Sequence, residues 1–144
     1  VEVKKAMELA KAKGAKKIIP LNVSVPSHTP LMQPASEKLS VALDNIVFSN
    51  INIPLITNVA STAVNNAVDI KDALVRQLTN PVRWDDSMQF LVNRGFNTFV
   101  EVGPGRVLSG LQKRIAKELN ATVDVFNVED LDSFKKTVEL LKTI

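Results

Sequence analysis

The sequence predicts an α/β fold, a mainly parallel sheet with helices on both faces. Three observations predict it. Helical and strand-type patterns alternate over the 144 residues in the order α-β-α-β-α-α-β-α-β-α. Thr98–Val102 is short and nearly all apolar, as a buried parallel strand should be. Glu101-Val-Gly-Pro-Gly105 then joins that strand to a helix through a tight turn.

Taken in order, Glu2–Lys13 reads as a helix. Val3, Met7 and Ala10 recur at helical spacing, and Gly14 is its stop. Ala15–Val25 reads as a strand. Leu31–Ile46 reads as a second helix, with Leu31, Ala35, Leu39, Ala42, Leu43 and Ile46 on one side. Ile53–Val59 is the next strand; its Pro54 sits near the start, where proline is tolerated. Ala60–Ala67, small and polar with Asn65 and Asn66, reads as a surface loop. Asp69 is expected to cap the helix Ile70–Leu78, and Asn80-Pro81 breaks it. Val82–Asn93 is a helix with Trp84, Met88, Leu91 and Val92 as its stripe and Gly95 at its end. After the strand Thr98–Val102, Arg106–Leu119 is a helix with Val107, Leu108, Leu111 and Ile115 inward. Thr122–Asn127 is the last strand. Asp130–Leu141 is the last helix, with Phe134, Val138 and Leu141 inward. There is no internal repeat and no low-complexity tract. The weakest boundary falls near Leu21–Val25.

Composition narrows the function classes. The chain has no cysteine, so disulfides, thiolate zinc sites and a cysteine nucleophile are excluded. No apolar run approaches the roughly 20 residues that span a bilayer. The first residues form a Lys-rich amphipathic helix rather than a signal peptide, and a cytoplasmic location is the default expectation. The sequence also starts without methionine, inside a helix, as a piece of a longer protein would. Net charge is +3. The excess is local: Lys4, Lys5, Lys11, Lys13, Lys16 and Lys17 crowd the first helix and its exit, and Arg106, Lys113, Arg114 and Lys117 share another. Such faces fit an acidic partner or plain solvation. Nucleic acid is disfavoured, because no aromatic residues interleave with these lysines.

The stretch most able to carry chemistry is Leu21–Pro30, LNVSVPSHTP, with the only histidine, His28. Pro26 fixes its own φ and biases Val25 to extended geometry. Pro30 suits the first turn of the next helix. Together they make a stiff loop that presents one imidazole, the side chain suited to general-base work near neutrality. A loop histidine with satisfied polar atoms and no chemistry fits the same residues. Gln77 lies near the end of a helix, where backbone carbonyls lack intrahelical partners. A free carbonyl there can accept the Nδ1–H of an imidazole and fix its tautomer, as a carboxylate does in a serine triad. Gly103-Pro104-Gly105 lies at the carboxyl end of a strand, where open α/β sheets bind ligands, and its N–H groups favour anions; it equally serves as a turn. It is not a P-loop, since no Gly-Lys-Ser/Thr follows.

Three stretches in this order, SVPSH, ALVRQLTNPVRW and EVGPGRVLSGL, resemble the malonyl-CoA:acyl-carrier-protein transacylases of fatty-acid synthesis, kin to polyketide acyltransferase domains. The resemblance spans essentially the whole chain. It implies an α/β-hydrolase-like acyltransferase fold with an inserted ferredoxin-like subdomain. Residues 1–20 would end the small subdomain, and residues 21–144 would form the carboxyl-terminal part of the large one. It implies ping-pong transfer of malonyl from malonyl-CoA, through a serine, to the phosphopantetheine thiol of acyl carrier protein, with no cofactor. His28 matches the histidine that activates that serine, and Gln77 the residue whose main-chain carbonyl orients it. This sequence has no Gly-x-Ser-x-Gly. In the family the serine elbow, the carboxylate-binding arginine and the oxyanion segment lie upstream of the stretch matched here. The chain alone is therefore expected to be inactive, and the upstream half of the enzyme is an expected partner, with no membrane and no nucleic acid involved. Carrier proteins of this pathway are acidic, so Lys113 and Arg114, about two turns beyond Arg106, are expected at the docking rim. Two other readings stay open: a non-catalytic α/β module that binds an acidic protein, and a polyketide-type acyltransferase.

Overall fold

Apolar residues at helical spacing, closed off by turn residues, put the helices where local pattern places them. The computed structural model describes residues 2–143, so Val1 and Ile144, the outer ends of the two expected subdomains, lie outside it. The helices are α1 (Glu2–Ala12), α2 (Gln33–Asp44), α3 (Ala67–Arg76), α4 (Trp84–Asn93), α5 (Val107–Glu118) and α6 (Leu131–Leu141). A 3₁₀ turn, Pro30–Met32, leads into α2 with Pro30 at its first position. The strands are β1 (Leu55–Ile56), β2 (Ala63–Val64), β3 (Thr98–Val102) and β4 (Asp124–Val128).

The architecture is mixed helix and sheet, and the parallel pairing is present. β3 and β4 run parallel from Thr98↔Asp124 to Val102↔Val128, with α5 as the crossover between them. α5 packs on both strands, α6 on β4, α4 on α5 and α2 on α3. β1 and β2 pair antiparallel over two residues each. The buried apolar side chains are few: Leu43, Val59, Ile70, Met88, Ile115 and Ala116.

Several expectations are corrected. Ala15–Val25 is not a strand: no described segment pairs with it, and Ile19, Leu21, Val23 and Val25 are exposed. Strand pattern without a neighbour to complete the hydrogen-bond ladder leaves an irregular segment. Ile53–Val59 shrinks to β1, and the expected loop 60–67 contains its partner β2. Asp69 does not cap α3. The helix starts earlier, and Asn66 is the cap: its side-chain oxygen accepts the Asp69 N–H at 2.9 Å. Leu31, Ile46, Val107 and Phe134 are exposed rather than inward, whereas Gln112 on α5 and Thr137 on α6 are buried. At α6, Asp130 and Ser133 form a reciprocal cap.

Candidate functional site

His28 adopts a left-handed backbone, φ +62°. Such a conformation is unfavourable for a residue with a Cβ and persists only where its surroundings hold it. The holding contacts are local. Pro26 lies between Val25 and Ser27, whose N–H donates to the Val25 carbonyl at 2.8 Å. Thr29 Oγ1 donates to the Pro26 carbonyl at 2.8 Å. The loop is thereby closed on both sides of the imidazole.

The ring reaches across 49 residues of sequence: His28 Nδ1 lies 2.8 Å from the Gln77 carbonyl oxygen. Gln77 is the C-terminal cap of α3, where that carbonyl has no partner one turn further on. A carbonyl only accepts, so Nδ1 carries the proton in this contact. In the neutral ring this leaves Nε2 with a free lone pair. The half-buried imidazole is thus held in the tautomer a general base needs.

Residues that sequence reasoning missed hold this carbonyl in place. Ser36 Oγ, on α2, donates to the Val75 carbonyl at 3.0 Å. Asn80 Nδ2 donates to the Arg76 carbonyl at 2.8 Å. The loop after β1 grips the next turn: the Asn58 carbonyl accepts the Arg83 N–H at 2.9 Å, and Ser61 Oγ donates to the Arg83 carbonyl at 3.1 Å. Short polar side chains that can reach backbone were the available signal, but nothing local in sequence assigns their distant partners. Beside Gln77 lies a cavity of about 230 Å³ lined by Leu55, Ile56, Asn58, Ile70 and Leu74 among others.

The Gly103–Gly105 turn has the tight geometry expected, with φ of +146° at Gly103 and +78° at Gly105. Its anion-binding role is corrected. The chain's own carboxylates occupy the donors: Glu101 accepts from the N–H groups of Leu108 (3.1 Å) and Ser109 (2.8 Å) and from Ser109 Oγ, and Glu129 accepts from the Gly105 N–H at 3.0 Å. The Ser109 hydroxyl holds the Glu101 carboxyl below its ordinary value; desolvation opposes it more strongly than either of the two N–H groups opening α5 assists, and the net direction is down. Further along α5, Lys113 and Arg114 are exposed. With Arg106 and Lys136, Lys113 lines a groove of about 250 Å³ between α5, β4 and α6. None of these four cations is paired with a carboxylate among the described residues. No described helix is long and apolar enough to cross a membrane.

No protein-family model matches the chain. Comparison with curated sequences gives 49% identity over 120 residues to the malonyl CoA-acyl carrier protein transacylase of Salmonella typhimurium, covering 83% of this chain and 39% of that protein. The enzyme of the same name from Bacillus subtilis is 41% identical over 140 residues, covering 97% of this chain and 43% of the relative. Among solved structures, a malonyl-transacylase in complex with a type II polyketide acyl-carrier protein superposes with a TM-score of 0.85 at 44% identity, over 95% of this chain and 43% of that one. The chain thus spans about two-fifths of the length of these relatives, and the part it matches is their carboxyl-terminal part.

Proposed function

We propose that this chain is the histidine-bearing, carboxyl-terminal part of a malonyltransferase, which moves malonyl from malonyl-CoA to the phosphopantetheine thiol of acyl carrier protein in fatty-acid synthesis. The observation that carries the reading is the 2.8 Å contact between His28 Nδ1 and the Gln77 carbonyl. It leaves Nε2 free to act on a serine supplied by residues outside these 144. In that scheme Nε2 takes the Oγ proton as Oγ attacks the thioester carbonyl. The tetrahedral intermediate collapses, the C–S bond breaks, and the imidazolium returns its proton to the departing coenzyme A sulfur. The carrier thiol then gives its proton to Nε2 and attacks the malonyl ester, and the serine recovers the proton as it leaves. Gln77 is a positioning residue throughout, because its carbonyl accepts from the imidazole and takes part in no bond that is made or broken.

The likeness to the curated transacylases supports this assignment. So does the exposed apolar segment with Ile19, Leu21, Val23 and Val25, which an upstream half would cover. In this reading residues 1–20 end a small ferredoxin-like subdomain and residues 21–144 belong to the large α/β-hydrolase-like one. The substrates suffice without a cofactor, and the location is cytoplasmic. Lys113 and Arg114 steer the acidic carrier protein towards the cleft.

The test is reconstitution. The 144-residue chain with malonyl-CoA and holo carrier protein should transfer nothing. The full-length protein, with a Gly-His-Ser-Leu-Gly segment upstream, should malonylate the carrier and carry a malonyl ester on that serine. A malonyl adduct on the isolated chain, or a full-length protein inert toward malonyl-CoA, overturns the proposal.

A further inference from the structure

Three successive carbonyls at the carboxyl end of α3 are each bonded by a side chain from a different place. Ser36 Oγ, on α2, donates to Val75 at 3.0 Å. Asn80 Nδ2 donates to Arg76 at 2.8 Å. His28 Nδ1 donates to Gln77 at 2.8 Å.

The backbone explains why these carbonyls are open. A continuing α-helix would give Val75 the Thr79 N–H and Gln77 the N–H of residue 81. Residue 81 is proline and has none. The Thr79 N–H goes to Arg76 instead, at 3.2 Å, and Val75 receives the Leu78 N–H at a long 3.4 Å. The last turn is thus wound tighter than the α-helix before it.

Ser36 decides between the two windings. Its hydroxyl draws the Val75 carbonyl toward α2 and away from the Thr79 N–H. Without that bond Val75 can recapture the Thr79 N–H, and the turn relaxes to α geometry with the Gln77 carbonyl swung aside. Ser36 is only 4% exposed, and it reaches across 39 residues of sequence rather than bonding back into its own helix. It also rides on the same arm as the imidazole. The Thr29 carbonyl accepts the Met32 N–H at 3.0 Å and the Pro30 carbonyl the Gln33 N–H, so hydrogen bonding runs without a gap from the His28 loop into α2. One arm therefore meets one helix end at two points, which fixes an orientation where a single bond fixes a distance. A second polar tie between α2 and α3, Lys71 to Asp44 at 2.6 Å, lies at the far end of α2.

We propose that Ser36 is a positioning residue for the base: its hydroxyl holds the last turn of α3 in the tight winding that aims the Gln77 carbonyl at His28 Nδ1. The kinetic consequence rests on the transfer reading above; the hydrogen bond that Ser36 controls does not.

The test compares Ser36→Val with Ser36→Thr in the full-length protein, since the two add similar bulk and differ in the hydroxyl. The assigned His28 Nδ1–H is followed in ¹⁵N-edited spectra. Its exchange with solvent should be about two- to tenfold faster in Ser36→Val than in Ser36→Thr, the effect of one hydrogen bond. In malonyl transfer, kcat should fall by a similar factor in Ser36→Val with KM for malonyl-CoA unchanged, and Ser36→Thr should recover it. Asn66→Ala, which uncaps α3 at its other end, should lower the melting temperature and leave the Nδ1–H exchange unmoved. Equal exchange in the two Ser36 variants, exchange in Asn66→Ala as fast as in Ser36→Val, or an unchanged kcat in Ser36→Val of an active enzyme each overturns the proposal. A full-length wild type that transfers no malonyl overturns the transfer reading instead, and the exchange comparison still decides this one.

Discussion

His28 combines a base and a strained backbone in one residue, and two substitutions separate them. His28→Ala keeps a Cβ at φ +62°, whereas His28→Asn places there one of the few non-glycine residues that enter this region readily. Both lose the 2.8 Å contact to the Gln77 carbonyl, about 0.5–1.5 kcal/mol of net stability. Asparagine recovers part of that by relieving the left-handed penalty, a difference of about 1 kcal/mol from alanine. The asparagine variant should therefore melt a few degrees above the alanine variant. Catalysis should not follow that order. With Nε2 gone, both should transfer malonyl about 10²–10⁴-fold more slowly, about 2.7–5.4 kcal/mol of barrier. The assay is single-turnover malonyl transfer by the full-length enzyme to holo carrier protein, alongside thermal unfolding of each variant. Near-normal transfer in either variant, or rates that track the melting temperatures, would refute the base assignment.

The remaining predictions concern the groups around this centre. Gln77→Ala should be mild, because the backbone carbonyl survives truncation, whereas a residue inserted between Gln77 and Pro81 should be as damaging as loss of His28; equal damage from Gln77→Ala would make its side chain the working group. Charge reversal at Lys113 and Arg114 should raise the Michaelis constant for carrier protein far more than that for malonyl-CoA, with added salt shrinking the difference; two unmoved constants would exclude the patch as the docking rim. Ser109→Ala removes the largest influence holding the Glu101 carboxyl below its ordinary value of 4.5. A depressed carboxyl adds stability that is present above that ordinary value and lost as pH falls through the folded one. The stability gap between wild type and Ser109→Ala should therefore be fullest at neutral pH and narrow below 4.5, and acid titration of unfolding would disprove this if the gap stayed constant.

Local signals were legible in the sequence. β3 falls on Thr98–Val102 as read, since its apolar run is bounded by Asn97 on one side and Gly103 on the other. The meeting of His28 and Gln77 was legible for a different reason. A proline-braced loop and a helix that stops short of Asn80-Pro81 each offer one half of a hydrogen bond, and the resemblance paired them across the chain. The capping of α5 was not legible. Five residues separate Glu101 from α5, and its carboxylate folds back onto Leu108 and Ser109 because Gly103 and Gly105 turn the chain so sharply. The same glycines read equally well as an anion site, and only the geometry shows that the anion is internal.

Ala15–Val25 failed as a strand for a reason that bears on the whole molecule. Its apolar residues Ile19, Leu21, Val23 and Val25 alternate with Pro20, Asn22 and Ser24, the period of a pleated chain with one face buried. Yet all four are at least half exposed, and Val102 at the end of β3 is 80% exposed. A helix meets its hydrogen-bonding needs within itself, so α1 through α6 form from local pattern; a strand meets them only across a ladder, so its formation waits on a neighbour. The residues that failed to form a strand are the ones that lead directly into the His28 loop. Among the described residues, that loop is hydrogen-bonded on its far side to Gln77 and on its near side within its own turn. In the proposed enzyme, pairing this segment to an upstream strand would bury the alternating face and fix the near side of the same loop. Completing the sheet and positioning the base would then be one event, and the activity of the full-length protein would depend on residues 15–25 as strictly as on the imidazole they deliver.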